Sequence, residues 1–159
     1  MNILVVYESY FGNTEQIARA IYEALSRAQD ALGTVRLLNA AGVKPEDLAG
    51  VGLLVVGSPT RGFRPTEATV AFLKGIPKGS LRGVRVAAFD TRILLETIDS
   101  KALRWMVNTG GYAAKHIASS LQKSGGELVA PPEGFLVTGE EGPLKDGELE
   151  RAAAWADKL

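Results

Sequence analysis

Ile3-Leu4-Val5-Val6-Tyr7, then Glu8-Ser9-Tyr10-Phe11-Gly12-Asn13-Thr14, then Glu15 through Leu32, is the stretch whose reading decides the fold. The first segment is apolar throughout, as a strand buried on both faces must be. The last carries Ile17, Ile21, Leu25, Ala28 and Leu32 on one stripe, the pattern of an amphipathic helix. Asn13 is placed to cap that helix, with Gln16 three residues on, and Gly33 to stop it. A short hydroxyl- and glycine-bearing turn joins strand to helix. Such a turn aims backbone N–H groups and a helix N-terminus at one point, which attracts a phosphate. The turn has no Lys or Arg, so amides and hydroxyls are expected to hold the anion.

The same strand–loop–helix rhythm recurs down the chain. Val35 to Leu38 reads as a short strand, and Pro45 to Leu48 as a helical turn within the loop Asn39–Gly50. Val51 to Gly57 is a third strand and Ser58 to Pro65 a loop. Thr66 then caps a helix with Val70, Phe72, Leu73 and Ile76 on its stripe. Val84 to Phe89 is a fourth strand, with Asp90-Thr91-Arg92 leaving its carboxyl end. Ile93 to Thr109 is ambiguous, with a short helix expected over Lys101–Val107. Tyr112 to Lys123 is helical. Leu128-Val129 and Phe135-Leu136-Val137 both qualify as the fifth strand. Pro131-Pro132 lies between them, so a bent or interrupted edge strand is expected. Leu149, Ala152, Ala153, Ala156 and Leu159 form the stripe of a last helix, with Trp155 at its border. This alternation predicts an α/β fold, a three-layer doubly wound parallel sheet of five strands, for which 2-1-3-4-5 is one of the common orders and the one expected here.

At 159 residues and 46% hydrophobic, the chain suits one domain, residues 1–159, with a real core. Eighteen Lys plus Arg balance eighteen Asp plus Glu, so neither nucleic acid nor an anionic membrane is expected as partner. The absence of cysteine excludes disulfides, thiolate catalysis and Cys-ligated metals. With one histidine, His116, read as a surface or boundary residue, no transition-metal site is expected. Glu140-Glu141 and Asp146 to Arg151 read as solvated charges. Met1-Asn2 leads straight into the first strand without a basic leader, and no run reaches membrane-span length, so a cytoplasmic protein is expected.

In an open parallel sheet, ligands bind beyond the carboxyl ends of the strands, where strand order reverses. That rule groups Ser9–Thr14, Ser58–Arg64 and Asp90–Arg92, the loops richest in Ser, Thr, Gly and Arg. Other phosphate sites fit worse. There is no Gly-x-x-x-x-Gly-Lys-Ser/Thr loop, and Gly50-Val51-Gly52 precedes its strand instead of following it. A response-regulator receiver needs an Asp where Ser58 stands, and no Gly-x-Ser-x-Gly elbow is present.

On these residues the chain resembles the flavodoxins. Ser9-Tyr10-Phe11-Gly12-Asn13-Thr14 is similar to the family's phosphate loop, Ser/Thr-x-Thr-Gly-Asn-Thr, and Gly57-Ser58-Pro59-Thr60 to its second loop. The resemblance implies FMN as cofactor. It gives the phosphate to the Ser9 and Thr14 hydroxyls and to the amides of Phe11, Gly12, Asn13 and Thr14, with Tyr10 in the same loop. Ser58, Pro59, Thr60, Arg61, Gly62 and Phe63 would follow the ribityl chain and one ring edge, with Phe63 as a stacking ring. Asp90, Thr91 and Arg92 would approach the other edge. It also implies electron transfer, as a carrier or a small NAD(P)H- or quinone-linked reductase, with a redox protein or a small electron donor or acceptor as partner. No residue is named as a catalytic acid or base.

The sequence departs from that family in three places. Phe11 stands where a Thr is usual, which removes a hydrogen bond to a charged group worth roughly 1.5–3 kcal/mol. No Tyr follows Asp90, leaving Trp105 or Tyr112 as the nearest rings. The acidic surface of a low-potential carrier is missing. Arg61, Arg64 and Arg92 stand there instead, and an Arg about 7 Å from a flavin favours an added electron by roughly 2 kcal/mol, about 100 mV. A higher potential than that of acidic flavodoxins is therefore expected. The alternative is a flavodoxin-fold interaction module that binds FMN weakly or not at all. A third reading is an anion sensor built on the loop arginines.

Overall fold

Strand β1 (Asn2–Tyr7) pairs in parallel with β2 (Val35–Asn39) on one side and β3 (Val51–Pro59) on the other. β3 pairs in parallel with β4 (Arg85–Ile93), and the order is β2-β1-β3-β4-β5, as expected. The computed structural model describes residues 1–93, 101 and 111–159.

The fifth position is filled by two short strands, β5 (Glu127–Leu128) and β6 (Glu133–Val137), each parallel to β4. Val86 faces Leu128, and Phe89 faces Glu133. The edge chain thus spends two more residues than β4 over the same span, and Pro131-Pro132 lie in the detour. Proline has no N–H for a ladder, so the strand must break there.

Side-chain alternation along the strands builds two cores. Ile3, Val5, Leu53, Val55, Ala87 and Phe89 face α1 (Asn13–Ala28) and α4 (Glu148–Ala156). Leu4, Val6, Leu54, Val56, Val86 and Ala88 face α2 (Glu67–Gly75) and α3 (Ala113–Lys123). The result is the expected three layers. Gly57 is required by close approach, because a Cβ there would meet the Phe89 ring at 2.0 Å. Trp155 belongs to the core rather than to a helix border. Its ring, Phe89 and Phe135 meet edge-on at centroid distances of 6.1–6.2 Å.

Several boundaries differ from the sequence reading. Helix α1 stops at Ala28, four residues before Leu32, which is 93% exposed. Its N-cap is Gly12 at φ 89°, and Asn13 is the first helical residue, so the Asn13 side chain is not the cap. β3 and β4 run on through Ser58–Pro59 and Asp90–Ile93, because Ser58 stays paired with Asp90 and Pro59 with Thr91. These residues are strand ends, not loop. The expected helix over Lys101–Val107, and Trp105 with it, lie outside the described residues, Lys101 apart.

Candidate functional site

The carboxyl ends of β1, β3 and β4 bring the three predicted segments together around a cavity of about 70 Å³. Ser9, Tyr10, Phe11, Asn13 and Thr14 line it from the first segment, Pro59, Thr60 and Arg61 from the second, and Thr91 and Arg92 from the third. Gly12 lies in the same turn. Its left-handed backbone turns the chain into α1, and a Cβ there would meet no neighbour.

The first turn of α1 is open. Its first backbone acceptor bond runs from Gln16 N–H to Gly12 C=O at 3.1 Å. The N–H groups of Phe11, Asn13, Thr14 and Glu15 have no acceptor among the described residues, while that of Gly12 donates to Ser9 Oγ at 3.0 Å. The neighbouring helices differ. Thr66 Oγ1 caps α2 by accepting from Thr69 N–H at 3.4 Å. At the start of α3, Ala113 N–H donates to Thr60 Oγ1 at 3.1 Å and Ala114 N–H to Asp90 Oδ2 at 2.9 Å. Helix α1 therefore offers the main-chain donors and positive dipole end that α2 and α3 have already committed.

The side chains are more occupied than the resemblance implies. Thr14 Oγ1 is buried and meets Thr91 Oγ1 at 2.7 Å, linking α1 to β4. Asn13 donates its amide to Glu141 C=O at 3.0 Å. Ser58 is fully buried, accepts from Thr66 N–H at 3.0 Å and does not line the cavity. Thr60 N–H donates to Thr91 C=O at 3.0 Å. Hydroxyls predicted as ligands thus act first as braces between the three segments.

Arg61, Gly62, Phe63 and Arg64 form a two-residue hairpin. Arg61 N–H donates to Arg64 C=O at 2.8 Å and Arg64 N–H to Arg61 C=O at 3.0 Å. Both central residues are left-handed, Gly62 at φ 55° and Phe63 at φ 64°. Glycine accepts that region freely, whereas a bulky residue there costs about 1–2 kcal/mol. Gly62 and Phe63 sit at the tip, beside the cavity and not on its lining.

The three arginines separate. Arg61 lies over two rings of the first segment, 5.2 Å from the Tyr10 centroid and 5.6 Å from that of Phe11, with Glu140 at 3.7 Å. Arg92 is locked. Asp90 holds it through two bonds of 2.6 and 2.7 Å, and it stacks 3.8 Å from the Tyr112 centroid. Gly134 makes room for it, since a Cβ there would strike its guanidinium. Burial pushes the Asp90 carboxyl above its ordinary range, opposed by Arg92 and the Ala114 N–H. Asp90 is fully buried behind the cavity wall and does not line it. Arg64 lines a different cavity. Arg61 is therefore the one predicted arginine that both lines this cleft and lacks a tight carboxylate partner.

Sequence reasoning missed the segment after β6. Val137 and Glu140 line the cleft, and Glu141 C=O holds Asn13. Gly142 allows this approach, because a Cβ there would meet the Asn13 side chain at 2.6 Å. The signal is Gly139 to Pro143, a turn at the carboxyl end of an edge strand, within which Glu140-Glu141 reads in sequence as solvated charge. Glu148 departs from the same reading. It is 6% exposed, accepts from Leu136 N–H at 2.7 Å and pairs with Arg151 at 2.7 Å.

No protein-family profile matches the chain, and no curated protein is similar enough to match it in sequence. Solved structures do match. A flavodoxin from the domain Archaea superposes with a TM-score of 0.72 at 22% identity, over 98% of this chain and 94% of that one. Oxidised flavodoxin 2 from Bacillus cereus gives 0.76 at 22%, over 99% and 97%. The rubredoxin oxygen:oxidoreductase of Desulfovibrio gigas gives 0.74 at 20%, over 99% of this chain and 35% of that longer one. At these identities the likeness is one of architecture.

Proposed function

With the flavodoxin-like fold as premise, we propose that the cleft takes FMN and that the protein works in electron transfer. The supporting observation is the row of N–H groups at the start of α1 that have no acceptor among the described residues, in a turn without Lys or Arg. A phosphate there gains main-chain hydrogen bonds and the helix dipole without displacing any protein partner. Phe11, Asn13, Thr14 and Glu15 are the residues whose amides would hold it. Pro59 and Thr60 line the same cleft and would flank the rest of the cofactor, with Arg61 placed to meet the phosphate. FMN supplies the electron chemistry, and the chain binds, orients and shields it.

The arginine geometry lowers the expected gain in potential. Among the described residues Arg61, with only a long and exposed pair to Glu140, is the predicted arginine at the cleft without a tight carboxylate partner, so one predicted arginine rather than three would act on the flavin. The exposed rings of Tyr10 and Phe11 beside the cleft give a redox partner, a protein or a small electron donor or acceptor, an apolar contact. Among the described residues no helix is long and apolar enough to cross a membrane.

A second reading rests on cavity size. About 70 Å³ suits a phosphate and falls below the roughly 300–1,000 Å³ of small-molecule pockets. A flavin needs more room than that, which favours a module that holds FMN weakly. Absorbance of the purified protein decides between them. Flavin bands released as FMN on unfolding support the first reading. Colourless protein showing no saturable FMN quenching at micromolar concentrations supports the second.

A further inference from the structure

A second cavity is larger than the cleft. A groove of about 640 Å³ opens between α2 and α3 on the sheet's other flank. Its floor is Val70 and Leu73 of α2 with Ile76 just past that helix's end. His116 and Ser120 of α3 and Ser124 just past its end line the other side, spaced four apart. A larger apolar side chain at that spacing would close the seam, and small hydroxyls leave it open.

The rim carries one sign of charge. Arg64, Lys74, Lys78 and Lys123 line the groove, and among the described residues no Asp or Glu does. None of the four makes an ion pair among the described residues, whereas Arg19, Arg36, Arg61, Arg92 and Arg151 all do. The volume falls within the range of small-molecule sites, about 300–1,000 Å³.

We propose that this groove is a binding site for a small amphipathic anion, an apolar body bearing carboxylate, sulfonate or phosphate groups. The body lies on Val70, Leu73 and Ile76, and the anionic groups reach Lys74 and Lys123. The site is separate from the flavin cleft. The Arg61–Arg64 hairpin divides them, with Arg61 in the cleft and Arg64 in the groove. The proposal therefore stands whether or not FMN binds.

The test uses 1-anilinonaphthalene-8-sulfonate as probe, titrated by fluorescence into the full chain with and without saturating FMN. The expected result is a single saturable site, unchanged by FMN and weakened by salt. Neutral N-phenyl-1-naphthylamine should bind about tenfold more weakly, since it lacks the charge-assisted contacts. Lys74→Gln/Lys123→Gln, two exposed positions, should weaken the sulfonate about tenfold and leave the neutral probe unchanged. Ser120→Leu, which fills the seam without altering charge, should weaken both probes. Absence of saturable binding, displacement by FMN, or equal sulfonate affinity in the lysine variant and the parent would overturn the proposal.

Discussion

The hydroxyls of Thr14 and Thr91 meet at 2.7 Å inside the protein, and through that contact the first turn of α1 is fastened to the end of β4. One hydroxyl donates and the other accepts, and both side chains are almost fully buried. The geometry of the anion cradle thus depends on a residue far away in sequence.

Removing either hydroxyl leaves its partner buried without a bond. Thr14→Val and Thr91→Val should each lower stability by about 1–3 kcal/mol. The double variant should lose less than the sum, since it leaves no orphan. Denaturant titration of the three variants measures this, and strict additivity would show that the contact does not form. Thr14→Ala should also weaken FMN more than riboflavin.

Arg61 should act through the phosphate. It lines the cleft, and its ion pair to Glu140 is long and exposed, so it is free to turn to an incoming anion. Arg61→Gln should weaken FMN about tenfold and riboflavin little, the loss expected for one hydrogen bond to a charged group. Equal loss of both ligands in fluorescence titrations would place Arg61 on the ring system instead.

Phe63 holds a left-handed backbone at the hairpin tip. Phe63→Gly should relieve that strain and stabilise the ligand-free protein by about 1 kcal/mol, net of glycine's added chain entropy. If the ring stacks on a flavin, the same change should weaken FMN and riboflavin alike. A stabilised variant with undiminished flavin affinity would remove Phe63 from the site.

Glu148 sets a pH dependence. Burial acts to raise its carboxyl pKa, but hydrogen bonds from Arg151 and Leu136 N–H, with the charges of Arg151 and Lys145, outweigh it and hold it below 4.5. A depressed folded pKa gives stability that is complete above the unfolded value and lost as pH falls through the folded one. Glu148→Gln should thus be less stable than the parent at pH 7 by about 1–3 kcal/mol. The gap should narrow as pH drops below about 4.5. A constant gap from pH 7 to pH 3 in denaturant midpoints would contradict the assignment.

The parallel, doubly wound layout was legible because period and composition carry it: apolar runs at Ile3–Tyr7, Val51–Gly57 and Val84–Phe89 alternate with helical stripes, and 2-1-3-4-5 is one of the common orders for such a sheet. Pro131-Pro132 announced the broken edge strand for the same local reason. The cleft's composition was legible from the sheet rule, which brought Ser9–Thr14 to Thr60, Arg61, Thr91 and Arg92. What the sequence hid was partnership. Nothing local says that Asp90 locks Arg92, that Thr14 bonds Thr91, or that Glu148 turns inward, because each depends on residues brought together only by folding. The left-handed Phe63 was hidden too, since no propensity favours a bulky residue there.

Backbone amide NMR, with inorganic phosphate and then FMN titrated into the protein, bears most directly on the cradle at the start of α1. The expected result is that the Phe11, Asn13, Thr14 and Glu15 amides shift with both ligands, and Pro59–Phe63 neighbours with FMN alone. If those four amides stay in place while FMN binds, the phosphate sits elsewhere and the account of this site fails.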